Sequence, residues 1–226
     1  WGTGSANDLR KISRARDWKM KLRKLFTIAL ILFLASDAGA ASLMLLDPPT
    51  GERTSLSRLT MDDKGRLHLS WIRSSGKLSS LYHANLTDNK WSRATLISEG
   101  EDWFVNWADF PFLSVDDTGM ATHWLKKSSG GTYDYDVVAT FYSTITQRWS
   151  KPAIIHKDGV SAEHGFVSML SLGEGRTFIS WLDGRNTHQD KSDSNLHATR
   201  GMTLRGGVFN SEGKTLEDWE LDGLVC

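Results

Sequence analysis

The chain has 226 residues, 39% hydrophobic and 24% charged, the proportions of an ordinary globular protein. Net charge is zero, but residues 1–40 carry eight Lys/Arg against three Asp/Glu, leaving nineteen against twenty-four in the remainder. That remainder has no basic face to collect phosphates, which excludes nucleic acid as an expected partner, and the single cysteine, Cys226, excludes both a disulfide framework and a Cys-built metal site.

The basic front end has its own logic. From Met20 the chain reads MKLRK, then the apolar run LFTIALILFLA, then a small-residue exit at Ala38-Gly39-Ala40. This order predicts a secretory signal peptide over 20–40, with residues 1–19 lying upstream of the expected initiator Met20. Eleven apolar residues fall short of the roughly 20 needed to span a bilayer, so no stable membrane anchor is expected in the mature chain. The mature protein, 41–226, is expected to be secreted or periplasmic.

Beyond residue 41 the apolar residues alternate, as in RLHLSWI and TFISWL, the period of two that marks strands. Turn clusters fall between them at short intervals: DDKG, RSSGK, TDNK, DDTG, KSSGG, LGEG, SEG. One phrase recurs. RLTMDDKGRLHLSW (58–71), FLSVDDTGMATHW (112–124) and SMLSLGEGRTFISW (168–181) each lead through a turn glycine, at Gly65, Gly119 and Gly175, to a tryptophan at Trp71, Trp124 and Trp181. A second marker follows the first two, KWSRATLI at 90–97 and RWSKPAII at 148–155. Each unit therefore holds about four strands, and four-stranded units repeating along a chain predict an all-β fold, a β-propeller of four-stranded antiparallel blades. The tryptophans read as core, filling the wedge between blades, and the Asp pairs as turn formers.

A repeat of about 55 residues allows slightly more than three blades after residue 41, against the four to eight of closed propellers. The final WELDGLVC is strand-like and has no closing turn. The chain is therefore expected to hold about three blades of six and to be the N-terminal part of a longer propeller.

Asp-turn-Trp units in an exported propeller resemble the Asp-box, or BNR, repeats of sialidases. The fuller resemblance, over roughly 55–226, is to bacterial exo-α-sialidase-like proteins, through NWADFPFLSVDDTG, YDYDV, EHGFVSML, WLDGRNT and GMTLRGGVF. It implies a glycoside hydrolase acting on sialylated or related glycans, with no cofactor: a Tyr nucleophile activated by a Glu, an Asp acid/base, and an arginine cluster gripping the substrate carboxylate. The boxes here are degenerate, since Ser114 precedes Asp117 by three residues, and the family's Phe-Arg-Ile-Pro segment is missing, with only Arg53 and Arg58 in its region. The alternative is a non-catalytic propeller that binds a glycan or a protein.

In a propeller the starts of the innermost strands converge on one mouth. Those starts are expected near Ser55, Asp109 and His164, which brings Asp109 and Glu163 together as candidate catalytic residues. Candidate substrate-binding residues around them are Trp107, His123, Tyr135, Asp136, His164, Asp183 and Arg185. Asp109 is assigned acid/base chemistry, Glu163 a base, and Arg185 the grip on a carboxylate. Structural readings stand beside these: Asp109 as a turn cap, Glu163-His164 as a solvated loop, Asp183-Gly184-Arg185 as a turn with an internal ion pair, and His123 as a satisfied strand histidine. The YDYD run offers two carboxylates, too few for a calcium cage, and no metal site is expected.

Overall fold

The computed structural model describes Trp18, residues 43–187 and residues 201–225. The expected signal peptide, 20–40, lies outside the described residues. No helix among the described residues is long and apolar enough to cross a membrane.

The described chain is all-β. The first sheet runs β1 (Thr54–Met61), β2 (Leu67–Ser75) and β3 (Leu78–Thr87), with β4 (Lys90–Trp91) and β5 (Thr95–Gly100) both pairing β3. The second repeats this plan with β6 (Leu113–Val115), β7 (Gly119–Lys127) and β8 (Tyr135–Ser143), and with β9 (Arg148–Trp149) and β10 (Ala153–Ile154) on β8. The third is β11 (His164–Gly173), β12 (Arg176–Asp183), β13 (Thr203–Asn210) and β14 (Thr215–Asp222) in simple meander order. All strand pairs within these sheets are antiparallel, and β6 lies against both β1 and β11. First strands gathered side by side, with the later strands of each sheet stepping away, are the arrangement of successive propeller blades.

Two of the three repeated tryptophans fill blade contacts. Trp124 packs with Ile72 and Leu81 of the first sheet and stacks on Trp103 at 5.0 Å, while Trp181 packs with Val137 and Phe141 of the second. Trp71 is covered within its own sheet by Tyr82, stacked at 5.7 Å, and by Trp91. None of the three ends its strand; each sits inside β2, β7 or β12. The Trp-Ser markers break the outer strand twice in the same way. Ser92 Oγ accepts from Asn85 N (3.0 Å) and Ser150 Oγ from Phe141 N (3.1 Å), so a side chain replaces the ladder where each outer strand splits in two.

The turns follow the expectation with two differences. Only the first Asp of each pair does the capping: Asp62 Oδ1 accepts from Lys64 N and Arg66 N, and Asp116 Oδ1 from Thr118 N and Gly119 N. Asp116 also accepts from Ser171 Oγ of the third sheet, and Thr118 Oγ1 accepts from Gly175 N at 2.9 Å. The Asp turn is thus also a clasp onto the next blade. Gly65 and Gly175 take positive φ (76° and 70°), where a side chain is strained. Gly119 is glycine for a different reason: a Cβ there would lie 2.0 Å from the Tyr142 carbonyl oxygen.

The first strand of the second blade does not begin near Asp109; β6 starts at Leu113. Pro111 has no N–H to give a ladder, and β7 side chains take over the pairing. Phe112 N donates to His123 Nδ1 at 3.1 Å, and Thr122 Oγ1 donates to Phe112 O at 2.7 Å. His123 is fully buried in that role, which places it in the fold and not at a substrate surface.

Buried histidines, His123 and His83 among them, make the fold acid-sensitive. Burial, with the Arg58 charge nearby, pushes His123 down to about 3, and burial beside His68 pushes His83 down to about 4. Both are neutral when folded at pH 5 and protonated when unfolded, so the unfolded state binds more protons below about pH 6.5. Stability is complete above that pH and falls as pH drops toward 4, by roughly 1 kcal/mol per pH unit for each histidine. The expected outcome is a Tm that declines from pH 7 to pH 5. His123→Asn, which keeps an acceptor for Phe112 N, flattens that decline; an unchanged slope in thermal melts across this range rules out His123 as a source.

Candidate functional site

The second and third blades are joined where β8 and β11 begin. Tyr135 N donates to Ala162 O at 3.1 Å and Tyr135 forms a parallel bridge with Glu163, while Gly184 N donates to Glu163 O at 2.8 Å. Successive residues on a strand point to opposite sides, so this one join separates two polar clusters: Tyr135 and Glu163 on one side, Asp136 and His164 on the other.

On the first side, Tyr135 Oη donates to Glu163 Oε1 at 2.8 Å, and the Tyr135 ring stacks on Phe104 at 4.4 Å. Asp109 joins them across the blade boundary, where its Oδ2 accepts from Phe166 N at 2.5 Å. It is therefore a tie onto β11, not the cap of its own turn. The close approach requires Gly165, since a Cβ there would lie 2.1 Å from Asp109 Oδ2 and 3.0 Å from the Tyr135 ring. Burial raises the Asp109 carboxyl above its ordinary range, and the Glu163 charge adds to this, against the backbone N–H bonds from Phe166 and Val167. Tyr135 is pushed upward by burial, by its bond to Glu163 and by that group's charge. In both cases the charged form is disfavoured, because it has lost water or faces another acid.

On the second side the cluster is ionic. Arg185 forks onto Asp183, Nε to Oδ1 and Nη2 to Oδ2, both at 2.7 Å, and its Nη2 lies 3.3 Å from Asp158 Oδ2. Trp181 Nε1 donates to Asp183 Oδ2 at 2.9 Å. Burial works to raise the Asp183 carboxyl, but the Arg185 hydrogen bonds and the Trp181 indole hold it at about 2. His156 Nδ1 lies 2.8 Å from Asp158 Oδ2, and the His156 and His164 rings stack at 3.8 Å. Burial, with His164 adjacent, lowers His156 to about 4, so it is neutral at pH 7. Burial raises Asp136, and the neighbouring Asp158 charge raises it further.

Of the residues singled out from sequence, the structure brings Asp109, Tyr135 and Glu163 together, and separately Asp136, His164, Asp183 and Arg185. His123 and Trp107 join neither group; Trp107 stands 84% exposed on the loop before Asp109. Arg185 is not an open carboxylate grip, because its Nε and Nη2 are committed to Asp183 and Asp158. The turn with an internal ion pair is the reading the geometry supports there. Arg58 is likewise turned between blades, its guanidinium 3.4 Å from the Phe112 ring centre. Sequence reasoning missed His156 and Asp158. Their signal was a histidine and an aspartate two residues apart in IIHKDG, which reads only as a turn.

No protein-family model matches the chain, and no curated protein matches it. Among solved structures, it is similar to an α-L-arabinanase of Penicillium chrysogenum complexed with arabinobiose, at 16% identity and a TM-score of 0.42 over 79% of this chain. It is also similar to the NanB sialidase of Streptococcus pneumoniae complexed with 2-[(3-chlorobenzyl)ammonio]ethanesulfonate, at 17% identity and a TM-score of 0.43 over 79% of this chain. The match spans 53% of the arabinanase chain and 26% of the sialidase chain.

The tight seat of Asp109 gives a direct test. Gly165→Ala is expected to destabilise the fold by about 1–3 kcal/mol, as overpacking typically does. In an Asp109→Ala background the same change should cost distinctly less, because the colliding oxygen is gone. Equal costs in the two backgrounds, measured by denaturant titration, would show that the seat is not what fixes this glycine.

Proposed function

We propose that the protein is an exported glycoside hydrolase of sialidase type, acting on sialylated or related glycans. The observation that carries this reading is the Tyr135–Glu163 hydrogen bond of 2.8 Å beside the buried Asp109 carboxyl. A hydroxyl bonded to a carboxylate can attack an anomeric carbon while passing its proton to that carboxylate, and a tyrosine avoids the repulsion an anionic nucleophile meets near an acidic sugar. In this scheme Tyr135 Oη bonds to the anomeric carbon and Glu163 takes the phenolic proton. Asp109, whose proton affinity burial raises, protonates the departing glycosidic oxygen. A water deprotonated by Asp109 then displaces Tyr135, which recovers its proton from Glu163. Export follows in this proposal from the segment 20–40.

A second reading, a non-catalytic glycan-binding propeller, is favoured by two observations. Tyr135 and Asp109 are buried, at 1% and 5% exposure, and Trp107, on the loop before Asp109, is the most exposed aromatic side chain among the described residues. In that case the Tyr–Glu–Asp set is a polar core linking two blades, and sugars stack on the indole.

The two readings separate by experiment. Release of fluorophore from a fluorogenic sialoside is expected from the protein, with kcat/KM reduced at least 100-fold in Tyr135→Phe, Glu163→Gln and Asp109→Asn, the usual scale for losing an acid, base or nucleophile. No release from sialosides or related fluorogenic glycosides, together with glycan binding lost only in Trp107→Ala, would replace the hydrolase with the binding module.

A further inference from the structure

The cluster on the other side of the join contains an electrostatic conflict that the glycosidase reading does not use. His156 is 7% exposed and His164 fully buried. A carboxylate only accepts, so the 2.8 Å contact from His156 Nδ1 to Asp158 Oδ2 places the proton on Nδ1. The Nε2 lone pair is then buried without a hydrogen-bond partner and lies 3.7 Å from Asp136 Oδ1. His164 is worse placed. Its Nδ1 faces the carbonyl oxygens of Ala162 (3.1 Å) and Tyr135 (3.3 Å), with Asp136 Oδ1 at 3.9 Å. Its Nε2 faces Asp158 Oδ2 (3.3 Å) and Asp183 Oδ1 (3.6 Å), again without a hydrogen bond. Both nitrogens look onto acceptors, and a neutral imidazole has one proton to offer. Wherever that proton sits, a lone pair is left buried against oxygen.

We propose that Asp136 Oδ1, His156 Nε2 and His164 Nδ1 bind one divalent transition-metal ion, for which Zn²⁺ is the natural probe. The two nitrogens lie 3.7 and 3.9 Å from Asp136 Oδ1, and one ligand atom from each of the three residues falls within 4.8 Å of the others. Ligands about 2.0–2.2 Å from a common ion are roughly 3.3–3.6 Å apart in a tetrahedron, so modest contraction closes the set. The ion resolves both conflicts at once: His164 carries its proton on Nε2 toward Asp158 and Asp183, and both lone pairs turn to the metal. Asp158 becomes the shared outer carboxylate that orients the two rings, as is usual for metal-bound histidines. Charge agrees, since Asp136, Asp158 and Asp183 with Arg185 sum to −2 when the imidazoles are neutral. Access exists through an open cavity of about 380 Å³ bordered by Asp136, His156, Lys157 and Ser161. The rings, now 11° from parallel, must fan apart to aim both nitrogens at one point.

The neighbouring set of Asp158, His164 and Asp183 is a poorer site, because the Arg185 guanidinium occupies Asp183 and would repel a cation. Mixed nitrogen and oxygen donors suit zinc and its first-row neighbours over calcium or magnesium. An ion here would pin the loop 155–163 to β8, and so steady the backbone that carries Glu163 without touching its side chain.

The test is calorimetric titration of Zn²⁺ into the EDTA-treated, dialysed chain, with the Co²⁺ complex followed by its visible d–d absorption. One ion per chain is expected, with a raised Tm. Asp136→Asn and His156→Ala should each weaken binding at least 10-fold, and Asp183→Asn should change it less than 3-fold. Asp136→Asn is nearly isosteric and keeps the test alive if the histidine variant fails to fold. No binding, binding unaffected by Asp136→Asn, or binding lost in Asp183→Asn overturns the proposal. None of these readouts depends on glycosidase activity.

Discussion

A single backbone contact between blades, Tyr135 N to Ala162 O, positions both polar clusters of this protein. It fixes where β8 and β11 start relative to each other, and strand alternation then sorts the side chains. Tyr135 and Glu163 fall to one side, Asp136 and His164 to the other. A slip of one residue would exchange the two clusters, mixing a proton-holding set with an ionic one. Pairing between different blades is a long-range event, so the site exists only when both blades are formed.

The structure protects that join by redundancy. Asp109 reaches over from the second blade to cap Phe166 N, and Gly165 leaves the space for it to do so. At the other end of the blades, Asp116 accepts from Ser171 and Thr118 from Gly175. Between these polar clasps lies the apolar contact in which Trp181 and Val167 of the third sheet meet Val137 and Phe141 of the second. Hydrophobic burial supplies most of the adhesion, being roughly proportional to the area covered, while the clasps fix the register. Buried hydrogen bonds to charged groups are suited to that task, since a mismatched register would strand a carboxylate without a partner.

The two polar clusters follow different physics. Around Tyr135, desolvation and neighbouring acids raise the proton affinities of Tyr135 and Asp109. Around Asp183, a guanidinium fork and an indole donor do the reverse and keep a carboxylate ionised. Separating groups of opposed proton affinity by the thickness of one strand is how a small fold places an acid-holding set beside a charged one.

The sequence by itself determined the all-β class, the blade repeat and the burial of Trp71, Trp124 and Trp181, because these rest on local signals: alternation, turn residues and recurrence at fixed spacing. It also named most residues of both clusters, although placing strand starts from the turn glycines succeeded near Ser55 and His164 and failed at Asp109, which precedes β6. It could not decide which of them would meet. Asp109 is 57 residues from Phe166 and Tyr135 is 28 from Glu163, and those separations close only through blade-on-blade packing. The same packing buried His123, turned Arg185 onto Asp183, and brought His156 and Asp158 from an unremarkable turn into the ionic cluster. Only the tertiary structure decided these, because a side chain's partners depend on the register between blades, and no local pattern encodes that register.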